Sequence, residues 1–201
     1  MKGGTCIDFI RHGEPVGGRR YRGHGIDDPL SERGWRQMWN AMPARPPWQV
    51  VASSPLSRCR AFAEQFCARH RLPLEIEPDL REVGFGAWEG LAPDEVQARQ
   101  PEAWHAFHRD PVRCRPEGAE PLDDFGVRVA RVFEVLRRRH AGRHLLVVAH
   151  AGVVRAVLGH VLAADPQAWY RARVDNACLS RFRDGPRGLC LEFHNRPRLH
   201  E

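Results

Sequence analysis

Long hydrophobic runs are missing from this 201-residue sequence. No apolar stretch approaches the roughly 20 residues that a membrane-spanning helix requires. The N-terminus has one lysine and a short apolar run, without the long hydrophobic region of a secretory signal. We therefore expect a cytoplasmic protein with no membrane partner.

Cysteines with the spacing of a metal site are also missing. The six cysteines contain no Cys-x-x-Cys pair, and several lie in apolar stretches, where cysteine acts as a small buried hydrophobic residue. They are Cys6, Cys59, Cys67, Cys114, Cys178 and Cys190. The sequence therefore predicts neither a zinc site nor a disulfide framework, and no metal ligand is assigned.

Lysine is almost absent, because Lys2 is the only one among 31 basic residues. Arginine therefore carries nearly all the positive charge, and the formal net charge is +6 at pH 7. A nucleic-acid-binding protein would concentrate this charge in one region, whereas these arginines are interleaved with aspartate and glutamate. We interpret most of them as surface residues, expect no nucleic-acid partner, and retain a modest preference for small anionic molecules.

Apolar segments with strand character alternate with amphipathic helical segments along the sequence. The predicted strands occupy residues 6–10, 48–53, 72–78, 145–149, 177–183 and 189–193. The fourth strand is apolar throughout, which is typical of a central parallel strand covered on both faces. This alternation predicts a single α/β domain over residues 1–201, with three α/β/α layers and a mostly parallel central sheet.

Two histidines directly follow predicted strands. His12 and Arg11 end the first strand, His150 ends the fourth, and a glycine comes shortly after each histidine. In α/β sheets ligands bind beyond the carboxyl ends of the strands, so the two imidazoles would share one site if these strands are neighbours. None of the other nine histidines has this placement, and we interpret His12 and His150 as site residues.

Four sequence blocks in a fixed order resemble the histidine phosphatase superfamily, whose fold is phosphoglycerate-mutase-like. They are Arg11-His12-Gly13-Glu14, Ser53-Ser54-Pro55-Leu56-Ser57-Arg58, Leu80-Arg81-Glu82 with Phe85-Gly86-Ala87-Trp88-Glu89-Gly90, and Val148-Ala149-His150-Ala151-Gly152. Together they cover the chain nearly from end to end. The resemblance implies a metal-independent phosphomonoesterase for a small phosphorylated metabolite, with no cofactor.

The resemblance also implies roles for individual residues. His12 would be the nucleophile and form a phosphohistidine, which suits a side chain that is neutral and basic near pH 7. Arg11 and Arg58 would bind the phosphate, because a guanidinium group can donate two parallel hydrogen bonds to it. His150 would donate to the same oxygens, and backbone N–H groups at Ala151 and beyond would add donors.

Glu82 is the proton donor that the resemblance assigns. It must be held neutral near the working pH, by burial or by the bound phosphate dianion. Glu89 is an alternative carboxylate, which we interpret as a residue that braces a loop. Arg60 is an alternative to Arg58, but the spacing from the Ser-Pro-Leu sequence favours Arg58.

Departures from the family pattern reduce the number of activities that the resemblance allows. The acid-phosphatase branch of the family has an aspartate directly after the second histidine. This chain has Ala151 at that position, which disfavours that branch. No Glu-Arg-His-Tyr-Gly block lies at Glu82, which disfavours a glycolytic mutase. Phosphoglycerate-mutase-type phosphoryl transfer and a broad-specificity metabolite phosphatase remain as alternatives.

The segment after the first histidine is similar to that of α-ribazole phosphatases, which remove the 5′-phosphate from α-ribazole phosphate in cobalamin assembly. Pro15, the arginine-rich residues 18–23 and the Asp28-Pro29-Leu30-Ser31 sequence carry this similarity. Tyr21 and Arg22 are its candidate contacts to the leaving group, and a basic loop without a substrate role is the alternative. The chain is expected to act as a monomer or a homodimer.

Overall fold

The computed structural model describes residues 4–186 and 188–199. Within these residues six strands form one sheet with the order β3-β2-β4-β1-β5-β6. The strands are β1 Cys6–Arg11, β2 Val50–Ser53, β3 Leu74–Ile76, β4 His144–Ala149, β5 Leu179–Gly185 and β6 Gly188–Arg196. β1, β4, β2 and β3 run parallel, and β5 and β6 add an antiparallel hairpin at one edge.

Six α-helices cover this sheet within the described ranges. They are α1 Glu32–Ala41, α2 Ser57–His70, α3 Pro93–Arg99, α4 Pro101–Arg109, α5 Leu122–Arg139 and α6 Ala151–Leu162. None of the described helices is long and apolar enough to cross a lipid bilayer. Pro101 opens α4, where its missing N–H leaves no helical hydrogen bond unmade.

The helices lie on both faces of the sheet, because successive side chains of a strand point to opposite faces. Phe9 of β1 packs with Phe133 of α5 and Phe182 of β5 in the cluster that also contains α6. Ile10 points to the opposite face and joins the cluster of α1 and α2, which includes Phe62. The predicted three-layer α/β/α fold with a mostly parallel sheet is therefore confirmed.

Both edge strands differ in length from the prediction. The segment predicted as a strand over residues 72–78 forms only the three residues of β3, and a 3-10 turn starts at Pro78. β6 is longer than predicted because its tight turn at Gly188 lets it pair with β5 over most of its length. Both strands are at sheet edges, where one side of the backbone has no strand to fix its limits.

Three neighbouring strands end at the same edge of the sheet. Arg11 of β1 lies opposite Ala149 of β4, and Val148 lies opposite Ser53 of β2. Because these strands are parallel, the residues that follow them, including His12 and His150, emerge together. This edge forms the floor of the candidate site.

Candidate active site

His12 and His150 lie side by side, as the strand-end argument predicted. Their ring centroids are 5.2 Å apart, and the His12 backbone N–H donates to the Ala149 carbonyl at 3.0 Å. A second backbone restraint comes from Asn176, whose side-chain amide donates to the His12 carbonyl at 2.9 Å. Asn176 was not predicted as a site residue, because nothing near it in sequence marks it as a neighbour of His12.

The His12 ring has a defined tautomer. Its Nδ1 lies 2.7 Å from the carbonyl oxygen of Gly13. A carbonyl can only accept, so Nδ1 carries the proton and Nε2 of the neutral ring keeps its lone pair. His12 is also 5% exposed, so its ring is shielded from water on most sides. These conditions make Nε2 a nucleophile.

Both histidines are held in the neutral form. Burial lowers the pKa of His12 well below its usual value, and the charges of Arg11 and Arg58 lower it further. Burial, Arg58 and His12 likewise place the pKa of His150 well below its usual value. Burial disfavours the charged imidazolium, and a neighbouring cation disfavours it further, so both causes act in the same direction.

Arg11 and Arg58 are fixed by backbone carbonyls. Arg11 Nη1 donates to the Val174 carbonyl at 2.7 Å, and burial lowers the pKa of Arg11 to about 10. Arg58 is 1% exposed and donates to the carbonyls of Gly23 and Ile26 at 2.8 and 3.0 Å. The Nε–H of each arginine has no acceptor among the described residues. Both cations are thus rigid and lack a full set of partners.

His150 lies beneath the pocket and is fully buried. Its Nε2 shares a hydrogen bond of 2.7 Å with the Ser54 hydroxyl, and the Cys59 thiol lies 3.6 Å from the same nitrogen. Ser54 lies in one of the four blocks, but no sequence pattern distinguishes it from Ser53. The structure places it as the residue that orients the second histidine.

Glu82 is half-buried at the N-terminal end of α6. Its Oε1 accepts from the Val83 N–H at 3.0 Å, and its Oε2 accepts from the Gly152 N–H at 3.2 Å. A Cβ at Gly152 would overlap with the Glu82 carboxylate. Backbone N–H groups at Ala151 and beyond were expected to donate to the phosphate. The Gly152 N–H donates to Glu82 instead.

A buried ion pair holds the backbone that carries Glu82. Arg128 of α5 forms two 2.8 Å hydrogen bonds to Glu120 and donates to the carbonyls of Asp79, Arg81 and Glu82 at 2.7, 3.0 and 3.3 Å. Burial raises the pKa of Glu120, but the hydrogen bonds and charge of Arg128 outweigh it and lower that pKa. The Arg128–Glu120 pair was not predicted, because it lies outside all four sequence blocks.

The loop before α1 is braced from two sides. Arg22 is 8% exposed and donates to Asp28 and to the carbonyls of Val16 and Gly18 at 2.6–2.8 Å. Its guanidinium group, a candidate for substrate contact, is therefore engaged in holding the loop. Glu89 accepts from the backbone N–H of Gly25 at 3.0 Å, so it braces the loop as predicted.

Arg60 points away from the site. It is 52% exposed and pairs with Glu64 one helical turn further along α2. Arg58, two residues earlier, lines the pocket instead. The preference for Arg58 over Arg60 is thus supported by the direction of the two side chains.

The pocket above His12 has a volume of about 320 Å³ and two kinds of wall. One wall is aromatic, and Tyr21 lies there with its ring centroid 5.0 Å from that of Phe85. The other is cationic, with Arg155 of α6 placed 5.3 Å over the Tyr170 ring. Six arginines and one carboxylate, Glu82, line the pocket, so the site favours anions.

A metal-binding geometry occurs elsewhere among the described residues. Ligand atoms of Cys6, Asp8 and His144 lie within 4.8 Å of one another near the start of β4. The Asp8 carboxylate already accepts hydrogen bonds from Arg181, Trp48 and His144. Burial raises the pKa of Cys6 to about 12, which keeps the thiol protonated. This cluster is therefore better explained as a hydrogen-bonded network than as a metal site.

We predict that Arg58→Gln raises the pKa of His12, because it removes a cation that disfavours the imidazolium. The measurement is an NMR titration of the His12 ring. Arg60→Gln, which removes an exposed arginine of the same helix, is the control and should leave the pKa unchanged. A wild-type His12 with an ordinary pKa, or an equal change of that pKa in both variants, would contradict the electrostatic explanation.

Comparison with known proteins agrees with this geometry. Phosphoserine phosphatase 1 of Hydrogenobacter thermophilus is 31% identical over 178 residues, covering 86% of this chain and 83% of that protein. The solved structure of the α-ribazole phosphatase from Shigella flexneri has a TM-score of 0.83 at 25% identity, with 98% of both chains covered.

A longer relative is also similar. A bifunctional protein of Mycobacterium tuberculosis is 35% identical over 181 residues, covering 88% of this chain and 49% of that protein. The chain thus spans about half the length of this mycobacterial relative. The sequence model of the histidine phosphatase superfamily (branch 1) matches residues 7–196, nearly the whole chain. This chain therefore belongs to branch 1 of the histidine phosphatase superfamily.

Proposed function

We propose that this protein is a metal-independent phosphomonoesterase that works through a phosphohistidine at His12. One observation carries the proposal: a neutral imidazole with an unprotonated Nε2 lines one pocket with two fixed guanidinium groups, Arg11 and Arg58. This arrangement combines a nucleophile with a binding site for the dianion that it attacks. Members of the family named as phosphatases support the assignment.

In the first step, His12 Nε2 attacks phosphorus and the bond from phosphorus to the leaving oxygen breaks. Arg11 and Arg58 stabilise the charge on the non-bridging oxygens, because their donors are held in place before the substrate arrives. His150, fixed by Ser54, lies beneath the pocket and packs edge-on against the His12 ring. Water then attacks the phosphohistidine, releasing inorganic phosphate and restoring the free ring.

Glu82 donates the proton that the leaving oxygen needs. The negative charge of the bound phosphate favours the protonated carboxyl group. In the second step the resulting carboxylate accepts a proton from the attacking water. The transfer requires an accurate position, which the N–H groups of Val83 and Gly152 and the Arg128–Glu120 pair provide.

We propose α-ribazole 5′-phosphate as the substrate. Its flat aromatic base matches the aromatic wall, where the rings of Tyr21, Phe85 and Phe107 pack within 6.5 Å of one another. Stacking on such rings contributes about 0.5–1.5 kcal/mol beyond the buried area. The similarity to the Shigella flexneri α-ribazole phosphatase supports this choice.

Phosphoserine is a second candidate, supported by Arg155. This half-buried arginine lines the pocket, and within the described residues no ion pair joins it to a carboxylate. Its Nε donates to the Ala172 carbonyl at 2.9 Å, which fixes the guanidinium group near the pocket. It is therefore placed to bind the carboxylate of a small substrate.

We predict that His12→Ala abolishes both turnover and the acid-labile ³²P labelling of the protein, because it removes the side chain that forms the phosphohistidine. Wild-type activity should survive EDTA and be inhibited by vanadate. An active His12→Ala variant would contradict the mechanism, and complete inhibition by EDTA would contradict metal independence.

We predict that Glu82→Gln slows alkyl phosphates by about 10²–10⁴-fold, and p-nitrophenyl phosphate far less, because p-nitrophenolate hardly needs a proton. Arg128→Met should also slow alkyl phosphates selectively, by about tenfold, because the backbone of Glu82 loses the hydrogen bonds that hold it in place. The readout is kcat for both substrates. Arg131→Met, which removes an exposed arginine of the same helix, is the control. Equal losses of kcat on the two substrates would contradict the role of Glu82 as proton donor and the role of Arg128 in positioning it.

We predict that α-ribazole 5′-phosphate has the highest kcat/KM in a panel with phosphoserine, sugar phosphates and phosphoglycerates. Tyr21→Ala should lower this value about tenfold, because it removes a stacking surface, and Arg155→Gln should leave it unchanged. A phosphoserine-specific enzyme would show the opposite pattern, with the larger loss in Arg155→Gln. A rearranged ester instead of free phosphate as product would indicate a mutase.

A further inference from the structure

A second cavity, of about 600 Å³, lies at the opposite end of the sheet from His12. Its wall includes His144, which begins β4, whereas the active-site His150 follows the end of that strand. The loop between α1 and β2 and the β5–β6 hairpin complete the wall. We call this space the distal basic cavity, because four arginines line it: Arg45, Arg181, Arg183 and Arg196.

Two of these arginines have carboxylate partners and two do not. Arg181 donates to Asp8 at 2.7 and 2.9 Å, and Arg183 pairs with Glu192. Within the part of the chain that the structure describes, no ion pair joins Arg45 or Arg196 to a carboxylate. The cavity therefore keeps an excess of positive charge.

Two of the four arginines lie over the same aromatic ring. The guanidinium groups of Arg181 and Arg196 lie 5.1 and 4.7 Å from the centroid of the Phe193 ring. Cations are attracted to the face of an aromatic ring, but two cations at one ring repel each other. A bound anion would offset this repulsion.

The floor of the cavity is rigid. Asp8 is fully buried and accepts from Trp48 Nε1 at 2.8 Å and from His144 Nε2 at 2.9 Å, besides Arg181. Burial raises the pKa of Asp8, and the hydrogen bonds from Arg181 and His144 outweigh burial and lower it. The ionised Asp8 fixes Arg181, so one guanidinium group of the cavity is oriented before any ligand arrives.

We propose that the distal basic cavity binds a small ligand that carries two or more negative charges on phosphate or carboxylate groups. Guanidinium groups bind both kinds of oxygen through paired hydrogen bonds. The volume matches that of a small-molecule site, and the cavity lacks the extended row of stacking rings that a nucleic-acid strand uses. The cavity is a site separate from the active site, because none of the residues that line the active-site pocket lines this cavity.

The test is an NMR titration of the full chain with inorganic pyrophosphate. The side-chain N–H groups of Trp48 and Arg181 report on the distal cavity, and the His12 ring reports on the active site. We expect saturable shifts at Trp48 and Arg181 that weaken as salt is added. A parallel titration with a tricarboxylate distinguishes a phosphate ligand from a carboxylate ligand.

The double variant Arg45→Gln with Arg196→Gln should weaken this binding by at least about tenfold, because it removes two cations that donate charge-assisted hydrogen bonds to the anion. The matched control is Arg36→Gln with Arg113→Gln. It removes the same charge from side chains that are 68% and 87% exposed and line neither pocket. Both positions of the test variant are also exposed, so the fold should be retained.

Three results would overturn the proposal. The first is the absence of a saturable shift at Trp48 and Arg181 with millimolar pyrophosphate or tricarboxylate. The second is equal weakening in both double variants, which would show diffuse attraction by net charge. The third is tight binding of an oligonucleotide that pyrophosphate does not displace. If pyrophosphate shifts only the His12 ring, the distal site is contradicted, whereas the proposed phosphatase activity is not.

Discussion

The parallel pairing of β1 with β4 is the constraint on which the candidate site depends. Arg11 is opposite Ala149 in this pairing, so the histidine that follows each strand emerges at the same edge. β2 extends the arrangement on the other side of β4 and leads through Ser54 into α2, which carries Arg58. An antiparallel pairing of β1 and β4 would have put the two histidines at opposite ends of the sheet.

The electrostatics of the site follow from placing cations beside a buried imidazole. Arg11 and Arg58 lower the pKa of His12, and they also form the binding site for a phosphate dianion. One arrangement thus keeps the nucleophile unprotonated and attracts the group that it attacks. Burying two cations is unfavourable by itself, and donation to the carbonyls of Val174, Gly23 and Ile26 offsets part of that cost.

Arginine, which replaces lysine almost throughout this chain, joins loop segments in the interior of the structure. Arg22, Arg58 and Arg128 are all at most 8% exposed, and each donates to two or three backbone carbonyls. A guanidinium group has five N–H donors in one plane and can join several loop segments at once, which a single ammonium group cannot do with the same geometry. Arginine here therefore organises loops as well as contributing surface charge.

The sequence by itself determined the layered α/β fold, the strand-end position of both histidines, and the membership of Arg11, Arg58 and Glu82 in one ordered set. These features are local, because hydrophobic periodicity and short blocks are written in neighbouring residues. Only the tertiary structure decided the contacts between distant segments: Ser54 with His150, Arg128 with the backbone of Glu82, and Arg45 with Arg196 around one cavity. The arginines that look scattered in sequence are gathered by the fold, because contacts between residues far apart in the chain leave no periodic signal.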